Sequence, residues 1–114
     1  MRLVSQPASD AIELSAIFHA LSDPARLGIV CDLAARGNEM SCSALPVNMS
    51  KSTLSHHLRV LREAGLTVTR IEGTRRMVSL RADDLDARFP GLLAQVLLAA
   101  KPAETQEQTA FTSP

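Results

Sequence analysis

The chain contains no tryptophan and no tyrosine, and only three of its 114 residues are phenylalanine. Its hydrophobic core must therefore consist mainly of aliphatic side chains. The same shortage argues against a protein that binds single-stranded nucleic acid, because such proteins stack successive bases on aromatic rings. A chain of this length fits one domain with a modest core.

Long apolar runs are also absent. The longest, residues 89–100, has about twelve residues, whereas a membrane-spanning helix needs about 20. The first residues lack the pattern of a secretory signal, and the chain has two cysteines, which we expect to be reduced thiols. We therefore expect a cytoplasmic protein that does not interact with a membrane.

The net charge is zero, and taken alone it gives no sign of a nucleic-acid partner. The distribution of charge changes this view. Residues 51–81 contain seven basic and two acidic side chains, a net charge of +5, and the remainder of the chain carries −5. Because phosphate neutralisation dominates the affinity of proteins for DNA, this basic segment indicates a DNA-binding surface.

Residues 49–66 are the most informative segment. Ser50 predicts the N-terminal cap of a helix, and Gly65 suits the left-handed position after its last turn. Leu54, Leu58 and Leu61 recur at i, i+4 and i+7, as expected for a buried stripe. The opposite face carries short hydrogen-bonding groups and cations, which suit the DNA major groove. We predict a recognition helix over about residues 50–64, with double-stranded DNA contacted by Ser50, Lys51, Ser52, Thr53, Ser55, His56 and Arg59.

The flanking sequence predicts a mostly α fold with a β-hairpin (α+β). Helices are expected over residues 9–21, from Pro24 to about residue 36, and over 41–45, followed by a turn over 46–49. Alternating β-branched stretches at 67–71 and 75–80 predict a hairpin, or wing, whose Arg75 and Arg76 contact the DNA backbone or minor groove. A last helix is expected to start near residue 83, and Pro90-Gly91 is expected to start, kink or interrupt it. We expect a frayed N-terminus over 1–8, one domain over 9–100 and a disordered tail over 101–114.

This order of elements resembles the ArsR/SmtB family of bacterial winged helix-turn-helix repressors. The likeness covers about residues 12–98 and rests on residues 20–27 (Ala-Leu-Ser-Asp-Pro-Ala-Arg-Leu), 50–66 and 72–75 (Glu-Gly-Thr-Arg). The resemblance implies a homodimeric repressor that covers a near-palindromic operator. It also implies an interface built from the first and last helices, whose apolar residues here are Ile12, Ile17, Phe18, Phe89, Leu92, Val96 and Leu97.

The resemblance raises the possibility of metal sensing, but the residues do not favour it. Family members that bind metal at the third helix carry several thiols there, whereas this chain has Cys42 alone. Members that bind zinc at the last helix use Asp and His, and residues 84–100 contain no histidine. The adjacent His56 and His57 lie about 100° apart around a helix and do not form a ligand pair. We predict no metal and no cofactor, unless His19, Cys31 and Cys42 converge.

Cys31 and Cys42 leave a thiol-dependent response open. The redox sensors of this family pair a cysteine on the second helix with one on the last helix, which is absent here. Cys31 is therefore expected to be a small core residue, and Cys42 to be the more reactive thiol, because a helix N-terminus lowers a thiol pKa. No grouping of nucleophile and base suggests an enzyme. The alternatives are a winged-helix protein–protein interaction module, or a redox- or metal-responsive repressor that uses Cys31 and Cys42.

Overall fold

The computed structural model describes residues 2–3, 6–45 and 48–100. These residues form five α-helices and four β-strands, and two short 3-10 turns lie at Ser9–Ala11 and Cys42–Ala44. In chain order the elements are β1 (Arg2–Leu3), α1 (Leu14–Leu21), α2 (Pro24–Ala35), β2 (Glu39–Ser41), α3 (Lys51–Ala64), β3 (Thr67–Glu72), β4 (Arg75–Leu80), α4 (Ala82–Arg88) and α5 (Leu92–Ala99). None of the helices in these ranges has the length and apolar character needed to cross a bilayer.

The core between α1, α2, α3 and the sheet is aliphatic, as the shortage of aromatic residues predicts. Its most deeply buried side chains include Ile17, Ile29 and Leu61. Burial of each such side chain contributes about 1.5–3 kcal/mol. Leu58 and Leu61 hold one face of α3 against this core, and Leu54 packs partly against it. The polar face of α3 consequently points outward.

Local signals place the ends of α2 and α3 where the sequence predicts them. The Asp23 carboxylate accepts a hydrogen bond of 3.1 Å from the backbone N–H of Arg26, and the Ser50 hydroxyl accepts one of 3.2 Å from that of Thr53. Gly65 ends α3 with φ +95°. A Cβ at Gly65 would lie 2.6 Å from Cγ1 of Ile12, so the close approach of this buried side chain also requires glycine.

The predicted hairpin is confirmed as β3 and β4, which pair antiparallel across a turn at residues 73–74. The sheet has two further strands, in the order β1-β3-β4-β2. The helix predicted over 41–45 is wrong, because β2 occupies Glu39–Ser41 and only a 3-10 turn follows it. The positive φ of Gly37 and Asn38 turns the chain sharply after α2, and Asn38 accepts a hydrogen bond of 2.7 Å from Leu80 N–H. This turn brings residues 39–41 to the free edge of β4.

The predicted first helix, residues 9–21, is interrupted. Residues 9–11 form a 3-10 turn, Ile12 is extended and inserts its side chain into the core, and α1 begins at Leu14. Arg88 on α4 stabilises this interruption, because its guanidinium donates hydrogen bonds of 3.1 Å to Ser9 O and 2.7 Å to Ile12 O. Backbone carbonyls that a continuous helix would use internally are bonded here to α4.

The described part of the N-terminal segment is not frayed. Residues 2–3 pair with β3. The side chain of Gln6 accepts a hydrogen bond of 3.0 Å from Thr69 N–H, and Arg81 donates one of 2.8 Å to Pro7 O. These contacts are formed with residues more than sixty positions away, so they leave no local signal in the sequence.

Pro90-Gly91 interrupts the last helix, and Gly91 has φ +82°. The result is two helices, α4 and α5, and the N-cap of α4 is Arg81 and not Asp83 or Asp84, which lie in its first turn. The predicted turn over 46–49 is described only in part, since 46–47 lie outside the described residues. The predicted tail, 101–114, also lies outside them.

Candidate DNA-binding surface

Helix α3 and strand β4 enclose an open groove of about 680 Å³. Ser55, Arg59 and Arg62 follow one another at i, i+4 and i+7 on α3, so their side chains share the face that borders the groove. The complete lining is Ser52, Ser55, His56, Arg59, Arg62 and Arg76. Five of these six were predicted to contact DNA. Arg62 was left out of the predicted set, although its spacing from Ser55 and Arg59 placed it on this face.

The cations of the groove have no partners within the described residues. The side chains of Arg59, Arg62 and Arg76 form no ion pair or hydrogen bond there, and no carboxylate lines the groove. The Nε of Arg62 is buried without an acceptor. The guanidiniums of Arg59 and Arg76 are exposed, so they can contact negatively charged groups that enter the groove.

Two other basic residues of the segment 51–81 are neutralised internally. Arg70 is ion-paired with Glu39 and Glu72, and its Nε lies 2.9 Å from Glu72. Arg81 lies 2.9 Å from Asp84. The hydrogen bond from Arg70, together with one of 2.7 Å from the Ser79 hydroxyl, lowers the pKa of Glu39. The cationic surface is therefore narrower than the sequence count indicates, and consists of Lys51, Arg59, Arg62, Arg75 and Arg76.

The remaining predicted contacts are not part of the groove lining. Ser50 is occupied as the cap of α3, and its hydroxyl also donates a hydrogen bond of 2.9 Å to that of Thr53. Lys51 and Thr53 are exposed on the first turn, where the helix dipole favours anions. Arg75 is exposed at the start of β4, with Nη2 3.6 Å from the sulfur of Met77.

His57 points back toward the body of the domain, away from the groove. Its side chain is 13% exposed, and its Nε2 lies 3.9 Å from the Asp23 carboxylate. Its Nδ1 lies 3.3 Å from Nη1 of Arg26, a buried residue whose Nε donates a hydrogen bond of 2.7 Å to Ala20 O. Sequence reasoning did not identify this cluster, because its members lie on three different elements.

The predicted interface residues divide into two groups. Ile12 and Ile17 are only 1% exposed and belong to the core of the protomer, so their assignment to an interface is wrong. Phe18 is 52% exposed, as is expected of a contact residue. The other predicted residues are half-buried, namely Phe89, Leu92, Val96 and Leu97. The prediction omitted two further exposed hydrophobic residues, Leu14 and Leu98.

Both cysteines are partly buried free thiols. Burial raises the pKa of Cys31, and the charge of Asp32 adds to the effect. Burial also raises the pKa of Cys42, although Arg76 opposes it. The expected lowered pKa of Cys42 is therefore wrong, since a three-residue 3-10 turn supplies little of the dipole of a longer helix. Within residues 6–45 and 48–100, no three His, Cys, Asp or Glu side chains form a potential metal site.

Comparison with known proteins agrees with this geometry. The profile of a helix-turn-helix domain family matches residues 21–70. The HTH-type transcriptional regulator YceK of Bacillus subtilis is 46% identical over 79 residues, which are 68% of this chain and 79% of the relative. The arsenical resistance operon repressor of Staphylococcus xylosus is 41% identical over 75 residues, 65% of this chain and 71% of the relative.

Two further matches extend the comparison. The biofilm growth-associated repressor of Agrobacterium fabrum is 34% identical over 89 residues, 78% of this chain and 75% of the relative. The crystal structure of an ArsR family transcriptional regulator superposes with a TM-score of 0.60 at 25% identity and covers 78% of this chain and 98% of its own.

The fold and the cationic groove are those of a DNA-binding helix-turn-helix transcriptional regulator, with β3 and β4 as its wing. Such a protein acts by binding DNA and is not an enzyme. The chain belongs to the ArsR family of these regulators.

Proposed function

We propose that the protein is a cytoplasmic, homodimeric repressor that places α3 in the major groove of a near-palindromic operator and the wing on the neighbouring backbone or minor groove. The observation that carries this proposal is the groove with three guanidiniums, those of Arg59, Arg62 and Arg76, that have no ion pair or hydrogen bond within the described residues. Ser52, Ser55 and His56 supply groups that can hydrogen-bond to base edges, and the arginines supply contacts to guanine or phosphate.

The apolar surface of α1 and α5 supports a second copy of the chain as partner. Leu14 and Phe18 are one helical turn apart on α1 and exposed, and Leu98 on α5 is 56% exposed. A shallow apolar cleft of about 230 Å³ joins the end of α1 to α5. Contiguous exposed apolar surface commonly marks association. A twofold dimer also doubles the number of base pairs that a single winged helix reads.

The effector proposed for this repressor is not a metal ion. Relatives are named for resistance to arsenicals and cadmium, but those names describe the relatives. Capture of soft metals needs two or three thiolates, and here Cys42 lies in a cavity of about 70 Å³ beside Leu58, Thr69 and Val78. Its raised pKa also disfavours a fast-reacting thiolate.

The test starts from duplexes selected from a random pool of about 30 base pairs by the wild-type protein. We expect a sequence-specific complex of two chains per duplex, lost in Arg59→Ala and Ser55→Ala. Fluorescence anisotropy measures the affinity, and analytical ultracentrifugation of Phe18→Glu checks the dimer, which we expect to dissociate. Failure to bind any duplex at low salt would favour a protein–protein interaction module. Release of DNA by stoichiometric zinc, cadmium or arsenite would overturn the assignment of a non-metal effector.

A further inference from the structure

A polar joint connects α1, α2 and α3 on the side of α3 that faces away from the groove. Its centre is Arg26 in the first turn of α2, which is only 8% exposed. The guanidinium donates hydrogen bonds to two carbonyls at the end of α1, at 2.7 Å to Ala20 O and 3.5 Å to His19 O. Its Nη1 lies 3.3 Å from Nδ1 of His57 on α3. A single side chain thus contacts both neighbouring helices.

The geometry fixes the role of each ring nitrogen of His57. A guanidinium only donates hydrogen bonds, so Nδ1 of His57 is the acceptor and the ring proton is on Nε2. Nε2 points toward the Asp23 carboxylate at 3.9 Å. Asp23 is itself held as the cap of α2 by the backbone N–H of Arg26. The imidazole therefore lies between a donor and an acceptor that both belong to the start of α2.

The joint adds a directional restraint to the packing of α3 against the hydrophobic core. Leu58 and Leu61 hold α3 against the core, but apolar contacts have no directional preference. A hydrogen bond weakens steeply when its angle departs from linearity. The bond from Arg26 to His57 therefore resists rotation of α3 about its own axis. Such a rotation would move the neighbouring residues His56 and Arg59, which line the groove.

We propose that Arg26 and His57 are positioning residues that fix the rotational setting of α3, and thereby aim its groove face at the bases. The proposal rests on the DNA-binding function given above and adds two residues that do not touch DNA. The Arg26 guanidinium also connects α1, which carries the exposed Phe18, with α3. The orientation of the reading face relative to the proposed dimer face thus depends on this joint.

Two substitutions of matched shape test the proposal. In His57→Asn the side-chain oxygen takes the position of Nδ1 and can accept the bond from Arg26, whereas in His57→Leu a methyl group takes that position. A purely structural role predicts that the two variants, once both are fully folded, bind DNA equally well whatever their stabilities.

We expect a difference in DNA affinity instead. With the selected duplex, His57→Leu should bind about tenfold more weakly than the wild type, because a methyl group cannot accept the bond from Arg26 and the setting of α3 loses its directional restraint. His57→Asn should bind within about threefold of the wild type. The measurements are anisotropy titrations under conditions in which urea unfolding shows each variant to be fully folded. Equal affinities of the two folded variants would overturn the proposal.

Arg59→Ala separates this inference from the proposed function. If Arg59→Ala loses binding while both His57 variants bind like the wild type, α3 reads DNA but the joint does not position it. If Arg59→Ala binds normally, the assignment of the groove as the DNA surface fails first. Circular dichroism of every variant confirms that the comparison is made between folded proteins.

Discussion

The arginines on the two sides of α3 have opposite surroundings. Away from the groove, Arg26 and Arg88 donate to backbone carbonyls, and Arg70 and Arg81 are paired with carboxylates. In the groove, Arg59, Arg62 and Arg76 have neither kind of partner among the described residues. The same residue type thus holds the fold in one region and is left available in the other, and a count of basic residues does not distinguish the two uses.

The difference has a physical basis. A guanidinium carries five donors and cannot be deprotonated, so its burial is tolerated only when acceptors surround it. The framework arginines, which are Arg26, Arg70, Arg81 and Arg88, meet this condition through backbone carbonyls of residues 7–20 and through carboxylates on β2, β3 and α4. In the groove, Arg59 and Arg76 are exposed and can be hydrated in the free protein, and of the three only Arg62 has a buried Nε without an acceptor among the described residues. The exposed guanidiniums therefore remain available for DNA phosphates or base edges, the partners proposed for this surface.

The largest expected difference between the groove arginines and the framework arginines is in DNA affinity. Arg59→Ala should weaken binding to the selected duplex about 100-fold or more, since each good base contact contributes about 1–3 kcal/mol and a dimer loses two. The unfolding temperature should change little, because Arg59 bonds to no other side chain among residues 6–45 and 48–100. Anisotropy and thermal unfolding measure the two effects. Arg70→Ala is the control and should keep its DNA affinity.

The reverse experiment removes a framework arginine. Arg26→Met keeps much of the apolar stem but leaves Ala20 O and His57 without their donor, so the free energy of unfolding should fall by about 2 kcal/mol. Urea denaturation measures this change. Arg36→Met, which removes an exposed cation after the last turn of α2, should leave stability unchanged. Similar losses in both variants would mean that Arg26 stabilises the fold only through general charge effects.

Salt dependence should distinguish the two sets of arginines more finely. Arg76→Ala should reduce the slope of log K against log salt by about one for each protomer, because one phosphate contact is lost. Arg70→Ala should leave the slope unchanged, since its charge is already balanced by Glu39 and Glu72. Titrations between 50 and 200 mM salt, about the range in which such effects are large, provide the measurement. A changed slope in Arg70→Ala would place that residue on the DNA.

The smallest expected effect concerns Glu39. Its pKa is lowered in the folded protein by the hydrogen bonds from Arg70 and Ser79, so its contribution to stability is fully present above the ordinary glutamate pKa of about 4.3. That contribution is lost as the pH falls below this value and through the folded pKa. Because the pair is partly exposed, the difference from Glu39→Gln should be below about 1 kcal/mol at pH 7. Urea unfolding of both proteins from pH 7 to pH 3 should show the two stabilities converging.

The sequence predicted the elements whose signals are local. Pro24 marked the start of α2, the cap at Ser50 and Gly65 marked the ends of α3, and β-branched alternation defined the hairpin. Strand β2 was missed because three residues carry no periodicity of their own and depend on the edge of β4. The break at Ile12 was missed for a similar reason, since Arg88 stabilises it from 76 positions away.

The residues of the candidate site were likewise predicted where their signals are local. Helical spacing alone placed Ser52, Ser55, His56 and Arg59 on one face. The neutralisation of Arg70 and the contact between Arg26 and His57 each join residues 31 positions apart, so neither leaves a local pattern. The burial of Ile12 and Ile17 could not be separated from interface exposure, because a core face and a contact face are both apolar.

The turn at Gly65 has a consequence for how this regulator can respond to a signal. Leu66 N–H bonds to Leu61 O at 3.0 Å, Arg81 N–H bonds to Leu66 O at 2.9 Å, and the Ile12 side chain leaves no room for a methyl group at Gly65. Helix α3 and the wing are therefore joined by a rigid turn, and the width of the groove between them is set within one protomer. In the proposed dimer, the separation of the two α3 helices is then the dimension left to vary.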